Sequence, residues 1–101
     1  MIDLTSVQKD ILANKIAKGF NTTDMNEEFV HALEELAEAT AAYRKKLPDL
    51  GEELADVTIY LLGIAEILGI DLEKELVAKM EKNRKREYTK IDGVPIRTKE
   101  A

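Results

Sequence analysis

The sequence predicts an all-α fold, an antiparallel bundle of four main helices in one domain spanning residues 1–101. The chain is rich in Ala, Leu, Glu and Lys and has only two prolines, a composition that favours helices. Apolar residues recur at helical spacing in four segments. The connections between the second, third and fourth segments are short, and short connections favour antiparallel neighbours.

The first two helices are predicted from apolar spacing and from residues that start or end helices. The first runs from about Thr5 to Lys18 and ends near Gly19. The second begins near Thr23 or Asp24, has acidic residues in its first turn, and ends before Pro48. Its apolar stripe consists of Phe29, Leu33, Leu36, Thr40, Tyr43 and Leu47.

The third and fourth helices begin at acidic residues. Asp49 and Glu52 have the spacing of a capping box, so the third helix is expected to start there and to end at Gly69. Asp71 is expected to cap the fourth helix, which becomes strongly basic toward its end. Most of the five aromatic residues should belong to the hydrophobic core. The core segment of the domain is predicted to span about residues 20–88.

The composition excludes several classes of protein. A net charge of -5 counts against a nucleic-acid-coating protein. Without cysteine, a metal site would use oxygen ligands and hold a hard cation such as Mg²⁺, or Mn²⁺.

We find no targeting segment and no membrane span, so a cytoplasmic protein is expected. A chain of this length buries a modest core, which favours oligomerisation. The tail, residues 89–101, contains Gly and Pro and is expected to be extended or mobile.

Two pairs of carboxylates are the strongest candidates for chemistry. The pairs are Glu35 with Glu38 on the second helix and Glu53 with Asp56 on the third. Residues three apart lie on the same face of a helix, so each helix offers one pair. If the two helices pack antiparallel, the pairs can face each other and place about four carboxylates around one or two divalent ions.

The positions of these acids favour a metal site over a solvated surface. At about 100° per residue, Glu53 and Asp56 fall within the arc of Leu50, Val57, Tyr60, Ile64 and Ile67. A carboxylate in a buried stripe is costly unless a cation or hydrogen-bond donors compensate it. On the second helix, Glu35 and Glu38 share an arc with small residues that leave room for ions and phosphates, namely Ala32, Ala39 and Ala42. The alternative is that all four are ordinary surface acids.

Further candidates lie outside the carboxylates. Lys79, Asn83 and Arg86 share one face of the fourth helix, and beside a carboxylate-metal centre they would bind phosphate. Their alternative role is a solvated basic helix end that the helix dipole favours. His31, one turn before the first carboxylate pair, is a candidate for contacting substrate or assisting a water molecule. Phe20 is a candidate for stacking on a base. The alternative for His31 is an ordinary helix-surface or core position, and the alternative for Phe20 is packing.

The order of these motifs resembles a known family. The residues Glu34-Glu35-x-x-Glu38 followed by Glu53-x-x-Asp56 resemble the EExxE and ExxD motifs of MazG-like nucleotide pyrophosphohydrolases. The segment Lys79 to Tyr88 is similar to the segment that follows the third core helix in that family. The resemblance covers roughly residues 20–88.

This resemblance implies Mg²⁺-dependent cleavage of a nucleoside triphosphate to the monophosphate and pyrophosphate, in nucleotide-pool house-cleaning. It implies that Glu35, Glu38, Glu53 and Asp56 are the metal-binding and catalytic residues. It also implies phosphate contacts from Lys79, Asn83 and Arg86, and assembly into a homodimer or homotetramer.

Two other functions would also use a helical protein with paired carboxylates. A helical module that binds a nucleotide or a protein without turnover is the remaining alternative. A di-iron carboxylate bundle is rejected, because that design needs a Glu-x-x-His motif on each of two helices and the chain has one histidine.

Overall fold

The computed structural model describes residues 2–99 and contains four helices and one antiparallel strand pair. Met1, Glu100 and Ala101 belong to the predicted domain but lie outside the described residues. The chain divides into two compact units between Asp71 and Leu72. The elements are α1 (Leu4–Ala17), α2 (Met25–Arg44), α3 (Leu50–Ile67), α4 (Leu72–Lys85), β1 (Glu87–Ile91) and β2 (Val94–Lys99). The four predicted helices are therefore confirmed.

Aspartates precede the first three helices, but they do not all act in the same way. The Asp3 carboxylate accepts a hydrogen bond from the Thr5 backbone N–H at 3.0 Å, and the Asp24 carboxylate accepts one from the Glu27 N–H at 3.2 Å. The Asp49 side chain makes no capping hydrogen bond within the described residues. Its ψ of 14° departs from the extended backbone that a capping side chain requires. The predicted capping box of α3 is therefore wrong.

Three helices end in the same backbone motif, in which an N–H beyond the helix bonds a carbonyl five residues earlier. The bonds run from Phe20 to Lys15, from Leu47 to Ala42 and from Ile70 to Ala65, at 2.9, 2.9 and 2.8 Å. The motif requires a left-handed residue, and Gly69 takes that position after α3 with φ of 72°. Lys46 takes it after α2 with φ of 55°, so no glycine marks the end of α2.

In the first unit, α1 packs antiparallel on α3. Near the start of α1, the Gln8 side-chain amide donates a hydrogen bond to the Ile70 carbonyl at 2.9 Å. Near its end, the Lys15 ammonium lies 5.1 Å from the Tyr60 ring centroid. Between them the helices approach closely, because a Cβ placed on Gly63 would lie 3.3 Å from Ile11 Cγ2.

The second helix also packs antiparallel on α3, and it does so through small residues. The rings of His31 and Tyr60 are 6.0 Å apart at one end, and carboxylates of the two helices meet toward the other. The buried apolar residues are Ala32, Ala39, Ala42, Leu62, Ile64 and Ala65. The alanines let the two helix backbones approach, which places the acidic residues of both helices in one interface.

The larger apolar stripe of α2 lies on the surface of this chain. Leu33 is 66% exposed and Tyr43 71% exposed. Phe29 and Leu36 are about half exposed. Most of the aromatic residues are also exposed, contrary to expectation: Phe20, Phe29, Tyr43 and Tyr88. A helical pattern identifies apolar stripes, but close helix packing here selected the alanine face instead.

The second unit contains α4 and the strand pair. Among its described residues, none of those in α4 is buried. The two strands pair antiparallel from Ile91 with Val94 to Tyr88 with Arg97. Asp92 and Gly93 connect them with φ of 53° and 79°, the conformation of a two-residue hairpin turn that favours Asp-Gly. The segment expected to be an extended or mobile tail therefore forms a hairpin over its described residues.

Within residues 2–99, none of the helices combines the length and the apolarity needed to cross a bilayer.

Candidate metal centre

Three of the four predicted carboxylates lie together between α2 and α3. One carboxylate oxygen from each of Glu35, Glu38 and Glu53 lies within 4.8 Å of the others. Glu38 is exposed, whereas Glu35 and Glu53 are half-buried. Asp56 lies outside this group of three but is also half-buried. We call the three together the acidic cluster.

The acidic cluster carries uncompensated negative charge. Glu53 Oε2 is buried and has no hydrogen-bond partner among residues 2–99. Burial is the main cause that raises the pKa of both Glu35 and Glu53, and repulsion from the Glu38 carboxylate raises both pKa values further. Repulsion from Asp56 also raises the pKa of both groups, so the fourth predicted carboxylate acts on the same site.

These observations fit a divalent cation. Carboxylate oxygens are the ligands that Mg²⁺ and Mn²⁺ prefer. A cation would compensate the unpartnered oxygen of Glu53 and the mutual repulsion of the group, which otherwise cost stability. Glu35, Glu38 and Glu53 could each provide an oxygen ligand, and Asp56 adds negative charge to the same site.

A cavity of about 220 Å³ is lined in part by His31, which lies four residues, about one helical turn, before Glu35. Its lining includes three charged residues that the sequence analysis did not identify, namely Lys15 from α1 and Glu27 and Glu28 from α2. The Lys15 ammonium lies 2.5 Å from Glu28 Oε1, and their side chains are 12% and 3% exposed. Glu28 precedes Glu35 by seven residues and so shares its helix face. If the acidic face of α2 were followed two turns back from Glu35, it would have identified Glu28.

The predicted base-contacting residues also line this cavity. Phe20 is 56% exposed and borders a second cavity of about 210 Å³ as well. His31 Nε2 lies 3.3 Å from Glu27, and its Nδ1 lies 3.5 Å from Glu34. The hydrogen bond to Glu27, opposed in part by desolvation, raises the pKa of His31. Both side chains are therefore available at the cavity instead of being packed in the core.

The predicted phosphate-contacting residues belong to the second unit. Lys79 and Asn83 are exposed on α4, and Arg86 is half-buried just beyond the end of that helix. Arg86 donates a hydrogen bond from Nη1 to the Asn83 side-chain oxygen at 3.0 Å. Two of the three residues are thus held together, and a phosphate role for the set remains a prediction.

Comparisons with known proteins agree on one family. A sequence model of the MazG-like family matches residues 16–94. The structure is similar to that of a cyanophage S-2L MazG-like pyrophosphohydrolase bound to dGDP and three catalytic Mn²⁺ ions per active site. The TM-score is 0.74 at 26% sequence identity, and the match covers 98% of this chain and 100% of that chain. No curated protein sequence matches the chain.

Proposed function

Because the chain belongs to the MazG-like family, we propose that it is a metal-dependent nucleoside triphosphate pyrophosphohydrolase. The reaction hydrolyses a ribo- or deoxyribonucleoside triphosphate to the monophosphate and pyrophosphate. One observation carries the proposal: carboxylate oxygens of Glu35, Glu38 and Glu53 converge within 4.8 Å. The structural neighbour, bound to dGDP and catalytic Mn²⁺, supports both a nucleotide substrate and a divalent metal.

The proposed metal ligands are the acidic cluster together with Asp56. Mg²⁺ is the proposed physiological cation, with Mn²⁺ as a substitute, since both favour oxygen ligands. A divalent cation bound there supplies charge neutralisation for the phosphates and lowers the pKa of a water molecule. Glu35, Glu38 and Glu53 hold the acidic side of the site, and the half-buried positions of Glu35 and Glu53 limit competition from solvent.

The remaining roles fall to the basic side chains of the second unit and to the residues that line the cavity. Lys79 and Arg86 bind phosphate oxygens, and Asn83 fixes the Arg86 guanidinium through the hydrogen bond described above. These residues favour departure of pyrophosphate by stabilising its negative charge. His31 and Phe20 contact the nucleoside, since both line the cavity next to the acidic cluster.

We propose further that the chain works as a homodimer or homotetramer. The exposed apolar stripe of α2 supports this, because Phe29, Leu33, Leu36 and Tyr43 would otherwise remain in water. Contiguous apolar surface of this kind marks interaction sites. The corresponding cellular role is nucleotide-pool house-cleaning, since the reaction lowers the concentration of its substrate triphosphate.

The decisive experiment measures monophosphate release from a panel of canonical and modified triphosphates, with Mg²⁺, with Mn²⁺ and with EDTA. Glu38→Gln and Glu53→Gln should lower kcat/KM at least about a hundredfold, because each removes a proposed metal ligand. Glu52→Gln is the matched control, since it removes an exposed neighbouring carboxylate outside the acidic cluster. Nucleotide binding without any product would instead indicate a silent binding module, and the proposal would fail.

A further inference from the structure

The cavity beside the acidic cluster contains a buried ion pair that the metal centre does not use. The Lys15 ammonium lies 2.5 Å from Glu28 Oε1, and the two side chains are 12% and 3% exposed. Asn21 donates a hydrogen bond to Glu28 Oε2 at 3.2 Å. Each carboxylate oxygen therefore has one protein donor and keeps one further lone pair, because a carboxylate accepts about four hydrogen bonds.

The loop between α1 and α2 holds this carboxylate in place. The Asn21 amide also donates to the Asp24 carbonyl at 2.8 Å, and its oxygen accepts from the Asp24 N–H at 3.1 Å. The Tyr60 ring lies below the Lys15 ammonium, 5.1 Å from it. Both charges of the pair are therefore oriented before any ligand enters the cavity.

Burying an ion pair is a poor way to stabilise a fold. Desolvation of two charges offsets much of their attraction, and apolar residues of similar volume often stabilise as well or better. The Lys15–Glu28 pair nevertheless lines an open cavity of about 220 Å³ together with Phe20 and His31. The cavity thus contains two carboxylates, Glu27 and Glu28, together with a charged donor and aromatic walls, which is the composition of a binding site.

On the basis of the proposed function, we propose that Lys15 and Glu28 recognise the base of the substrate and select guanine. Guanine presents two neighbouring N–H donors, at N1 and at the exocyclic amino group, beside the O6 carbonyl. The free lone pairs of the Glu28 carboxylate accept the two donors, and the Lys15 ammonium donates to O6. Phe20 and His31 contact the faces of the ring.

The position of the cavity agrees with this assignment. His31 lies four residues before Glu35, and Tyr60 lies four residues after Asp56. Four residues advance a helix by about 6 Å, so the base site and the acidic cluster lie on the same helices about one turn apart. A nucleoside in the cavity would direct its 5′ phosphates toward the acidic cluster.

Other bases would form fewer favourable hydrogen bonds with Lys15 and Glu28. Adenine and cytosine offer one amino donor beside a ring nitrogen acceptor, so the carboxylate gains one hydrogen bond instead of two. Uracil and thymine place a single N–H between two carbonyls, and one carbonyl would face the Glu28 carboxylate. Hypoxanthine keeps N1–H and O6 and lacks the amino group, so it isolates one of the two proposed hydrogen bonds.

The test compares kcat/KM for dGTP, dITP, dATP and dTTP in the presence of Mn²⁺, together with calorimetric binding of dGMP and dIMP without metal. The wild-type protein should favour dGTP over dITP by about tenfold or more, the value of one charge-assisted hydrogen bond. The preference over dTTP should be larger. The same order should appear in binding of dGMP over dIMP.

Two variants separate recognition from folding. Glu28→Gln should reduce the preference for dGTP over dITP, but it leaves Lys15 buried without its charged partner. The double variant Lys15→Met with Glu28→Leu removes both buried charges and should keep its thermal stability. In that variant the ratio of dGTP to dITP should fall to about one. Lys9→Gln, an exposed change on the same helix, should leave the ratio as it is in the wild type.

The outcomes distinguish this inference from the proposed function. Hydrolysis of all bases at equal rates, or a double variant that keeps the guanine preference, would overturn base recognition and leave the pyrophosphohydrolase proposal intact. A protein that hydrolyses no triphosphate but binds dGMP more tightly than dIMP would overturn the proposed reaction and support the base site. Equal binding of dGMP and dIMP in that case would overturn both.

Discussion

Glu53 reaches from α3 to within 4.8 Å of Glu38 on α2, and its buried Oε2 atom has no hydrogen-bond partner among residues 2–99. Two carboxylates on neighbouring helices therefore meet without a donor between them. Such an arrangement lowers stability unless a cation binds. The stability of this protein should consequently depend on both pH and divalent metal.

The first prediction concerns that dependence. Burial and then neighbouring carboxylates raise the pKa of Glu35 and Glu53 in the folded chain. Their contribution to stability is thus fully present below the unfolded carboxyl pKa of about 4 and is lost as pH rises through the raised folded pKa. Metal-free protein should lose this contribution to Tm as pH rises from about 4 through the raised pKa values of Glu35 and Glu53. Mg²⁺ or Mn²⁺ should raise Tm more near pH 7.5 than near pH 5, because a cation binds the ionised carboxylates.

Two variants in the first turn of α3 test this dependence of Tm on pH and metal by differential scanning calorimetry. Glu53→Gln should raise the Tm of metal-free protein at neutral pH and should reduce the increase in Tm that metal gives. Glu52→Gln should keep the wild-type response. Equal metal responses at the two pH values would contradict the prediction.

The second prediction concerns the contact between α1 and α3. A side chain at Gly63 meets Ile11, since even a Cβ would lie 3.3 Å from Ile11 Cγ2. Gly63→Val should therefore lower the free energy of unfolding by about 1–3 kcal/mol. Gly51 faces open space on the same helix, so Gly51→Ala should instead raise it by up to about 1 kcal/mol. Urea denaturation measures both, and an unchanged midpoint for Gly63→Val would be the contrary result.

The third prediction concerns the exposed stripe of α2. Leu33 is 66% exposed, and Leu33→Glu would place a charge in the proposed subunit interface, which is costly. Analytical ultracentrifugation should show a homodimer or homotetramer for the wild type and a mass at least about halved for the variant. Lys9→Gln makes the same change in net charge on α1 and should not alter the mass. A monomeric wild type would refute the prediction.

The fourth prediction concerns phosphate binding by α4. Lys79→Gln should raise KM for the triphosphate about tenfold, because it removes one charge-assisted contact. Steady-state kinetics should show a smaller change in kcat. Lys85→Gln is the control, since Lys85 is exposed on another side of α4 and lies 3.6 Å from Glu81. Similar KM values for the two variants would indicate a general charge effect instead of a specific contact.

Much of the fold could be predicted from local pattern. Helix spacing and the terminal residues located all four helices, because those signals act within one turn of the chain. The choice between two faces of α2 could not be predicted, since the alanine face and the Leu33 face are both apolar. Asp92-Gly93 is a strong hairpin signal, and the strands beside it contain β-branched residues, so the hairpin could have been predicted.

The site could be predicted only where it follows a repeating pattern. Glu35, Glu38 and Glu53 have motif spacing on two helices that must pack together, so their convergence could be inferred. Lys15 and Glu28 come from different helices, and their contact depends on the tertiary packing of α1. A lysine near the end of an amphipathic helix resembles an ordinary solvated cation, so the sequence contains no local sign of the ion pair.

The hydrogen bond from Gln8 to the Ile70 carbonyl also fixes how α1 is aligned along its neighbours. Apolar contacts alone would permit a helix to slide by one turn with little loss, because its side chains repeat at that interval. Sliding here would leave the Gln8 amide without its carbonyl and would separate Lys15 from Glu28. Two polar contacts at opposite ends of α1 thus penalise every other alignment and select a single arrangement of the helix.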